Sequence, residues 1–339
     1  MYRYETHLHT APVSKCAGAG VRETLKFYKE LGYDGVFITN HFLDGNINVD
    51  RNLSYETKLD FYFGDYYNAL EEGKRIGLKV FLGVELSYGG TDFLIYDLKP
   101  EWYYAHPEIM TMSKKEELAL MHEAGALIVH AHPFREAGYI DHIRLFPRSI
   151  DAVEVNNGCR TDFENKMADI YADNYGFKKT AGTDNHHAYR GHLSGAETET
   201  PIESEEEYKN LVLEGKINVF TLDPSPDDFE WVIREPDGLL TVHLRTNPST
   251  GYDWEWSTEG DGELEEESRD YIQKFSDPPL CGAPSRVKIR FSPVKEGLAT
   301  LTLRYKRSWE KEPPLRTFEI KCMPREDGRI TLLSHDFKD

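Results

Sequence analysis

From the N-terminus to about residue 220, short runs of β-branched and aromatic residues alternate with stretches whose apolar positions recur every three or four residues. The short runs predict strands at 4–9, 35–40, 79–85, 93–96, 127–130, 152–156 and 179–184, since brief apolar runs bounded by turn formers fit buried strands. The spaced stretches predict helices at 21–31, 66–76, 114–123, 163–175 and 205–213, each with one apolar face. Gly32, Gly77, Gly125, Gly176 and Gly215 follow these helices, where a left-handed residue ends a helix at little steric cost. The repeat of helix, glycine and strand is the signature of βα units, and its regularity favours a barrel.

Beyond Phe220 the pattern changes. Asp223-Pro-Ser-Pro-Asp-Asp reads as a linker, and the text after it alternates with period two. Examples are Leu240, Val242 and Leu244; Val287, Ile289 and Phe291; Leu301, Leu303 and Tyr305; and Phe318, Ile320 and Cys322. Such alternation predicts an all-β, immunoglobulin-like sandwich. The expected domains are therefore 1–222 and 223–339, an α/β barrel followed by the sandwich. The acidic run from Glu203 to Glu207 reads as a solvated helix start.

Charge narrows the partners. The 339 residues carry 40 lysines and arginines against 59 acidic residues, a net charge of -19. A nucleic-acid polymer would be repelled by such a surface, although a pocket holding bound cations still accepts a phosphate. No apolar run is long enough for a bilayer, and Met1-Tyr-Arg-Tyr-Glu-Thr lacks the apolar stretch of a signal peptide, so a cytoplasmic chain without a membrane partner is expected. Cys16, Cys159, Cys281 and Cys322 are too sparse for a disulfide framework and read as buried or ligating thiols in a reducing compartment.

The predicted strand ends carry the chemistry: His7 and His9 after the first, His41 after the second, Glu85 after the third, His132 after the fifth, and Asp184 with His186 after the seventh. In a (β/α) barrel those ends converge on one face. His7-Leu8-His9 also puts two imidazoles on the same side of a strand, a chelate for a divalent cation. Together Thr-His-Leu-His-Thr, Ile-Thr-Asn-His, Gly-Val-Glu, Ala-His-Pro-Phe-Arg and Gly-Thr-Asp-Asn-His resemble, in order, the motifs of the PHP family, the polymerase and histidinol phosphatase superfamily.

That resemblance, over about residues 1–220, implies a distorted (β/α)7 barrel with two or three clustered divalent ions, commonly zinc, iron or manganese. Carried over, His7, His9, Glu85 and Asp184 match one metal site; Glu85 bridges to a second with His132; His41 and His186 belong to a third. Two positions depart from the family pattern. Asp92 stands where a histidine often follows the bridging glutamate, and Ser14, Lys15 and Cys16 occupy the stretch where an Asp or His follows the paired histidines. Asp92 is then a candidate hard ligand and Cys16 a soft one.

The implied reaction is hydrolysis of a small phosphomonoester or phosphodiester by metal-activated water, with His186 or His187 assisting proton transfer and Arg135 contacting the phosphate. His130, His187 and His192 are further candidates for supporting or substrate-contacting groups, Glu154 and Asn156 for lining the pocket, while His106, His122 and His142 read as structural. Two alternatives stay open: cleavage of a C–N or carboxyl-ester bond by the same constellation, and a binding protein without catalysis.

In the second region, Asn247-Pro-Ser-Thr-Gly-Tyr-Asp-Trp, Cys281-Gly-Ala-Pro-Ser and Tyr305-Lys-Arg-Ser-Trp-Glu are three turn-rich loops. This trio resembles the chagasin family of cysteine-protease inhibitors over about residues 239–322. The middle loop lacks the family's second glycine, and Ser308 stands where proline usually precedes Trp309. The resemblance implies a papain-like protease as partner, with Thr250, Tyr252 and Trp309 as contacts. The structural alternative is a spacer with Trp309 in its core.

Overall fold

Apolar strands that cannot each bury both faces alone assemble in the first unit into one nine-stranded sheet. The computed structural model describes residues 1–224, 231–234, 238–273, 285–310 and 312–338, and the chain divides into two compact units, Met1–Pro224 and Ser225–Asp339. In the first, the strands are β1 (Tyr2–Leu8), β2 (Gly35–Ile38), β3 (Lys79–Tyr88), β4 (Thr91–Tyr96), β5 (Leu127–Ala131), β6 (Ala152–Asn157), β7 (Lys178–Gly182), β8 (Leu193–Thr198) and β9 (Asn218–Leu222). Their order is β7-β6-β5-β4-β3-β2-β1-β8-β9.

The sheet curls until its β7 end meets β1. Just past β7, Asp184 N donates to His7 O at 2.8 Å, and His9 N donates to Asn185 O at 3.0 Å. The result is a nearly closed barrel. Glu5 reinforces this seam from inside: its Oε1 accepts from the backbone nitrogens of His7 and Thr183, both at 2.9 Å, and its Oε2 accepts from Tyr28 Oη at 2.9 Å.

The alternation of parallel strands and helices breaks in two places. β4 runs antiparallel to both β3 and β5, because Gly89 and Gly90, at φ 58° and 90°, make a turn too tight for a helical crossover. β8 and β9, which the periodicity does not predict, add antiparallel strands beside β1. The other pairs, β1–β2, β2–β3, β5–β6 and β6–β7, are parallel as expected.

Helices α1 (Val21–Glu30), α2 (Tyr55–Ile76), α3 (Pro100–Ala105), α4 (Lys114–Glu123), α5 (Asp162–Tyr175) and α6 (Glu205–Glu214) accompany the strands. Ser113 with Glu116, and Thr161 with Glu164, form reciprocal capping boxes that start α4 and α5. Gly77, Gly176 and Gly215 close α2, α5 and α6 in the left-handed conformation, as their positions predict. The predicted second helix starts eleven residues too late, since Ser54 caps α2 by accepting from Thr57 N at 3.2 Å. α3 is a further addition. Leu59, Tyr62 and Phe63 of α2 join Val84, Leu86, Phe93, Leu118 and Tyr171 in the main core. Tyr4, Phe37, Phe81 and Val129 form a second cluster with Tyr208 and Val212 of α6.

The second unit contains β10 (Trp231–Arg234), β11 (Leu240–Thr246), β12 (Asp253–Gly260), β13 (Glu263–Gln273), β14 (Ser285–Lys295), β15 (Ala299–Lys306), β16 (Arg316–Pro324) and β17 (Ile330–Lys338). They form two four-stranded sheets, β10-β11-β14-β13 and β12-β15-β16-β17. One core joins both sheets: Val242, Leu244, Val287, Ile289 and Phe291 from the first, with Trp254, Leu301, Leu303, Phe318, Ile320 and Cys322 from the second. The period-two apolar positions are thus the buried ones, except that Tyr305 is only partly buried. Cys16, Cys159 and Cys322 are free thiols, while Cys281 and its loop lie outside the described residues. Among the described residues no helix is long and apolar enough to cross a membrane.

Replacing Glu5 by alanine strips two buried backbone N–H groups and the Tyr28 hydroxyl of their acceptor. The expected loss of stability is on the order of 3 kcal/mol, read by urea denaturation, because unpaired buried donors lose their hydration without compensation; an unchanged midpoint would contradict the role of Glu5 in the seam.

Candidate metal centre

The strands end in polar side chains that point at one another. His7 lies on β1 and His9 just after it, Glu85 on β3, Asp92 on β4 and Glu154 on β6. His41, His132 and Asp184 follow β2, β5 and β7. His7, His9 and Glu85 are fully buried, and Asp92, His132 and Asp184 nearly so.

Glu85 sits among four imidazoles. Its Oε1 is 3.1 Å from His7 Nε2 and 3.5 Å from His132 Nε2; its Oε2 is 2.5 Å from His41 Nδ1 and 3.5 Å from His9 Nε2. Asp184 closes the other side, with Oδ1 3.3 Å from His9 Nε2 and 3.6 Å from His7 Nε2, and Oδ2 3.8 Å from His132 Nε2. Three groups have ligand atoms within 4.8 Å of one another and suit a metal ion: His7, His9 and Asp184; His7, Glu85 and His132; and His9, His41 and His186. The rings of His9 and His186 stack at 4.2 Å.

Several of these atoms have no hydrogen-bond partner although they are buried. They are His9 Nε2, His41 Nδ1, Glu85 Oε2, Asp92 Oδ2 and both ring nitrogens of His132. Buried polar atoms almost always make hydrogen bonds, so a cluster of nitrogens and oxygens that meet only as close ion pairs around a common space fits divalent cations. The donor set of imidazole and carboxylate is that of first-row transition metals.

Two imidazoles are oriented from behind by pure acceptors. His7 Nδ1 donates to Glu154 Oε1 at 2.9 Å, and His186 Nδ1 donates to the Asp184 carbonyl at 2.7 Å, which turns each Nε2 toward the cluster, that of His7 against Glu85 Oε1 at 3.1 Å. Glu154 also accepts from His132 N at 3.0 Å through its second oxygen. His132 and Asp184 hold positive φ, 27° and 59°, a conformation uncommon without glycine and frequent at functional sites.

The electrostatics follow from burial and mutual charge. Burial alone would raise the Glu85 carboxyl, but the imidazoles of His41, His9 and His132 hold it well below the usual range. Asp184 behaves alike: burial raises it, and His7, His9 and His132 bring it well below. Burial, together with the neighbouring His186 and His41, keeps His9 well below the ordinary imidazole value and so neutral.

The remaining candidates divide. Asp92 Oδ2 is 3.8 Å from His132 Nε2 and 3.2 Å from Arg135 Nη2. Arg135 stands at the site's edge, its Nη2 donating also to Tyr139 Oη at 2.8 Å. Only its Nε is buried without an acceptor. Cys16 is exposed as a residue and outside the three groups. Burial pushes its thiol up, yet hydrogen bonds with His186 and His41 outweigh this and bring it to about 6. His186 joins the ligand cluster, whereas His187 next to it is exposed and outside it. His130 is a core histidine, its ring stacked on Phe93 at 5.2 Å, and burial lowers it to about 3. His192 pairs with Asp223 at 2.5 Å. Asn156 Oδ1 is buried without a partner. The structural reading of His106, His122 and His142 agrees with their pairing to Glu108, Asp151 and Asp141.

Residues not singled out as ligands also matter. Glu5, Ser14, Asn40 and Asp65 are buried polar groups bonded to ligand residues or to one another. Arg160, beside Cys159, has a buried Nε without an acceptor. Only the convergence of distant segments reveals them.

In the second unit, two of the three loops are described and lie side by side. Trp309 is 69% exposed, so it is not a core residue. Its indole occupies the space where a Cβ of Gly251 would stand. Arg307 crosses between the loops, donating from Nε to Thr250 O at 2.9 Å and stacking 4.5 Å over the Tyr252 ring. Thr250 is exposed and Tyr252 half-buried.

Residues 236–322 match the profile of the chagasin family of peptidase inhibitors, I42. Amoebiasin-2 of Entamoeba histolytica is 41% identical over 89 residues, 26% of this chain and 71% of that protein. The crystal structure of EhICP2, a cysteine protease inhibitor from the same organism, is 34% identical, covering 25% of this chain and 77% of its own, with a TM-score of 0.23. A two-domain protein from Bacteroides vulgatus, described as containing a predicted PHP-like metal-dependent phosphoesterase, aligns with 98% of this chain and 94% of its own at 12% identity and a TM-score of 0.47.

A Cβ at Gly182 would collide with His7 Cβ and come within 3.0 Å of Glu154 Oε1. Gly182→Ala is therefore expected to displace the His7–Glu154 pair and lower bound divalent metal about tenfold or more, measured by elemental analysis. Full metal content would show that this close approach is not needed.

Proposed function

The chain belongs, through residues 236–322, to the chagasin family of peptidase inhibitors, and from that premise we propose a bifunctional protein: a metal-dependent phosphoesterase in residues 1–222 and a cysteine-protease-binding module in 223–339. The observation that carries the enzymatic half is the set of three adjoining ligand groups, in which buried atoms of His9, His41, Glu85 and His132 lack a hydrogen bond. The substrate is a small phosphorylated molecule, and the unit is a distorted (β/α)7 barrel of the PHP type.

His7, His9, Glu85 and Asp184 would hold one cation, Glu85 and His132 with Asp92 a second, and His41 and His186 with Cys16 a third; zinc, iron and manganese all suit these donors. Bound there, divalent ions supply Lewis-acid charge and a water of lowered pKa. The chain's own groups do the positioning. Glu154 and the Asp184 carbonyl keep the Nε2 atoms of His7 and His186 turned inward. Arg135, steadied by Asp92, offers its remaining donors to a phosphoryl oxygen.

His187 is the candidate proton carrier. Its backbone N donates to Asn185 Oδ1 at 3.0 Å. Partial desolvation of the ring and the charges of His186 and Arg190 lower its imidazole, which keeps it unprotonated and available to a proton at neutral pH.

The inhibitory half rests on the family and on the joined loops. An exposed indole braced by a neighbouring loop is the kind of aromatic anchor that dominates interface energetics. Thr250, Tyr252 and Trp309 are the proposed contacts.

Two experiments test these readings. His9→Ala and Asp184→Asn should each lose bound metal and slow phosphate release from p-nitrophenyl phosphate by roughly a thousandfold, because several kcal/mol of charge stabilisation disappear. Phosphate release persisting without metal, or cleavage confined to amides and carboxyl esters, would reject the phosphoesterase. The whole chain should inhibit papain, and Trp309→Ala should weaken inhibition about 30-fold, as loss of a hot-spot aromatic does. Absence of inhibition at micromolar concentrations would reject the protease-binding role.

A further inference from the structure

We propose that a directional relay of Thr10, Asn40 and Ser14, anchored by Asp65 on α2, selects the ring tautomer of His9. The relay is read from which groups can only donate and which can only accept. Asp65 Oδ2 accepts from Thr10 Oγ1 at 2.5 Å and from Asn40 Nδ2 at 3.0 Å. The one hydroxyl hydrogen of Thr10 is thereby committed, and the amide nitrogen of Asn40 must face the carboxylate.

A second contact fixes the same amide independently. The backbone nitrogen of Thr10, which can only donate, lies 2.7 Å from Asn40 Oδ1. That oxygen can only accept, so Ser14 Oγ, 2.8 Å away, must donate to it. Ser14 then has no hydrogen left. Its lone pairs accept from His41 N at 3.1 Å and from His9 Nδ1 at 3.0 Å. His9 therefore carries its hydrogen on Nδ1, and its Nε2 lone pair is left facing Asp184 Oδ1 at 3.3 Å and Glu85 Oε2 at 3.5 Å.

The relay meets a need that His7 and His186 do not have. Their Nδ1 atoms face a carboxylate and a carbonyl, pure acceptors that set the tautomer directly. His9 faces a hydroxyl, which by itself accepts or donates equally well. The Asn40 amide removes the ambiguity, its oxygen held by the Thr10 backbone N–H and its nitrogen by the Asp65 carboxylate. Thr10, Ser14 and Asn40 are at most 2% exposed and Asp65 is 5% exposed, so water has little access to replace a missing link. Ser14 also binds the backbone of His41, so the relay sets the spacing of two ligands at once.

The inference rests on His9 being a ligand, but its test reads a tautomer in protein stripped of metal. Failure of phosphatase activity would leave it standing, and its own failure would leave the hydrolase reading intact. In ¹⁵N-histidine-labelled protein, long-range proton–nitrogen correlations should show His9, assigned by its absence in His9→Ala, as the Nδ1–H form. Ser14→Ala should mix the two forms and weaken zinc binding by about 10- to 100-fold, and Asp65→Leu, which leaves the Thr10 backbone N–H to orient Asn40 alone, should do so to a smaller extent. Asp65→Asn, which keeps an acceptor oxygen, should retain both the tautomer and the affinity, which a role for the charge alone would not allow. An Nε2–H ring in the unsubstituted protein would overturn the proposal. So would folded Asp65→Leu or Ser14→Ala proteins with an unchanged tautomer and zinc affinity. If Asp65→Leu fails to fold, the unsubstituted tautomer and the milder Ser14→Ala and Asp65→Asn pair decide the matter.

Discussion

The first unit is organised around one electrostatic constraint, the burial of the Glu85 carboxylate. An isolated carboxylate taken from water loses far more hydration than folding recovers, so it either neutralises or finds opposite charge. Here its two oxygens are shared among His7, His132, His41 and His9. Those rings come from three strand ends, His7 and His9 from the end of β1, His41 from beyond β2 and His132 from beyond β5. Satisfying one side chain thus requires the whole mouth of the barrel to be in register, and the unusual backbone at His132 and Asp184 is held in place by that requirement.

Behind the mouth, the same demand passes outward through hydrogen bonds. Glu154 steadies His7 and the His132 backbone, Glu5 ties His7 to Thr183, and Asp65 reaches His9 from a helix. Removing any of these leaves a buried donor or acceptor exposed to nothing, which is why polar networks of this kind behave as units. The strand that carries His7 is consequently constrained along both edges, held by β2, by β8 and by the turn after β7.

Much of this was legible in the sequence because strand ends are a place where chemistry-bearing residues stand out against apolar runs. His7, His9, Glu85, His132 and Asp184 could be read in that way, and so could the buried alternating positions of the sandwich. What escaped was of two kinds. The orientation of β4 depends on a two-glycine turn, and the first half of α2 was hidden because Gly64 interrupts a run in which Leu59, Tyr62 and Phe63 continue the helical face. Asp65 was lost with it. The roles of Ser14, Asn40 and Glu5 were illegible for a different reason: such residue types are common, and their roles come from contacts between segments far apart in the chain. Arg135 shows the converse, a motif residue whose partner, Asp92, only the folded chain supplies.

The second unit presents a different economy of order. The Trp309 indole stands in solvent, yet the absence of a side chain at Gly251 lets it rest against the neighbouring loop, where Arg307 links the two segments. A large aromatic surface that is already immobilised surrenders little rotational freedom when a partner arrives. The glycine therefore acts as a seat: its missing methyl converts what would be a wandering ring into a wedge set in advance.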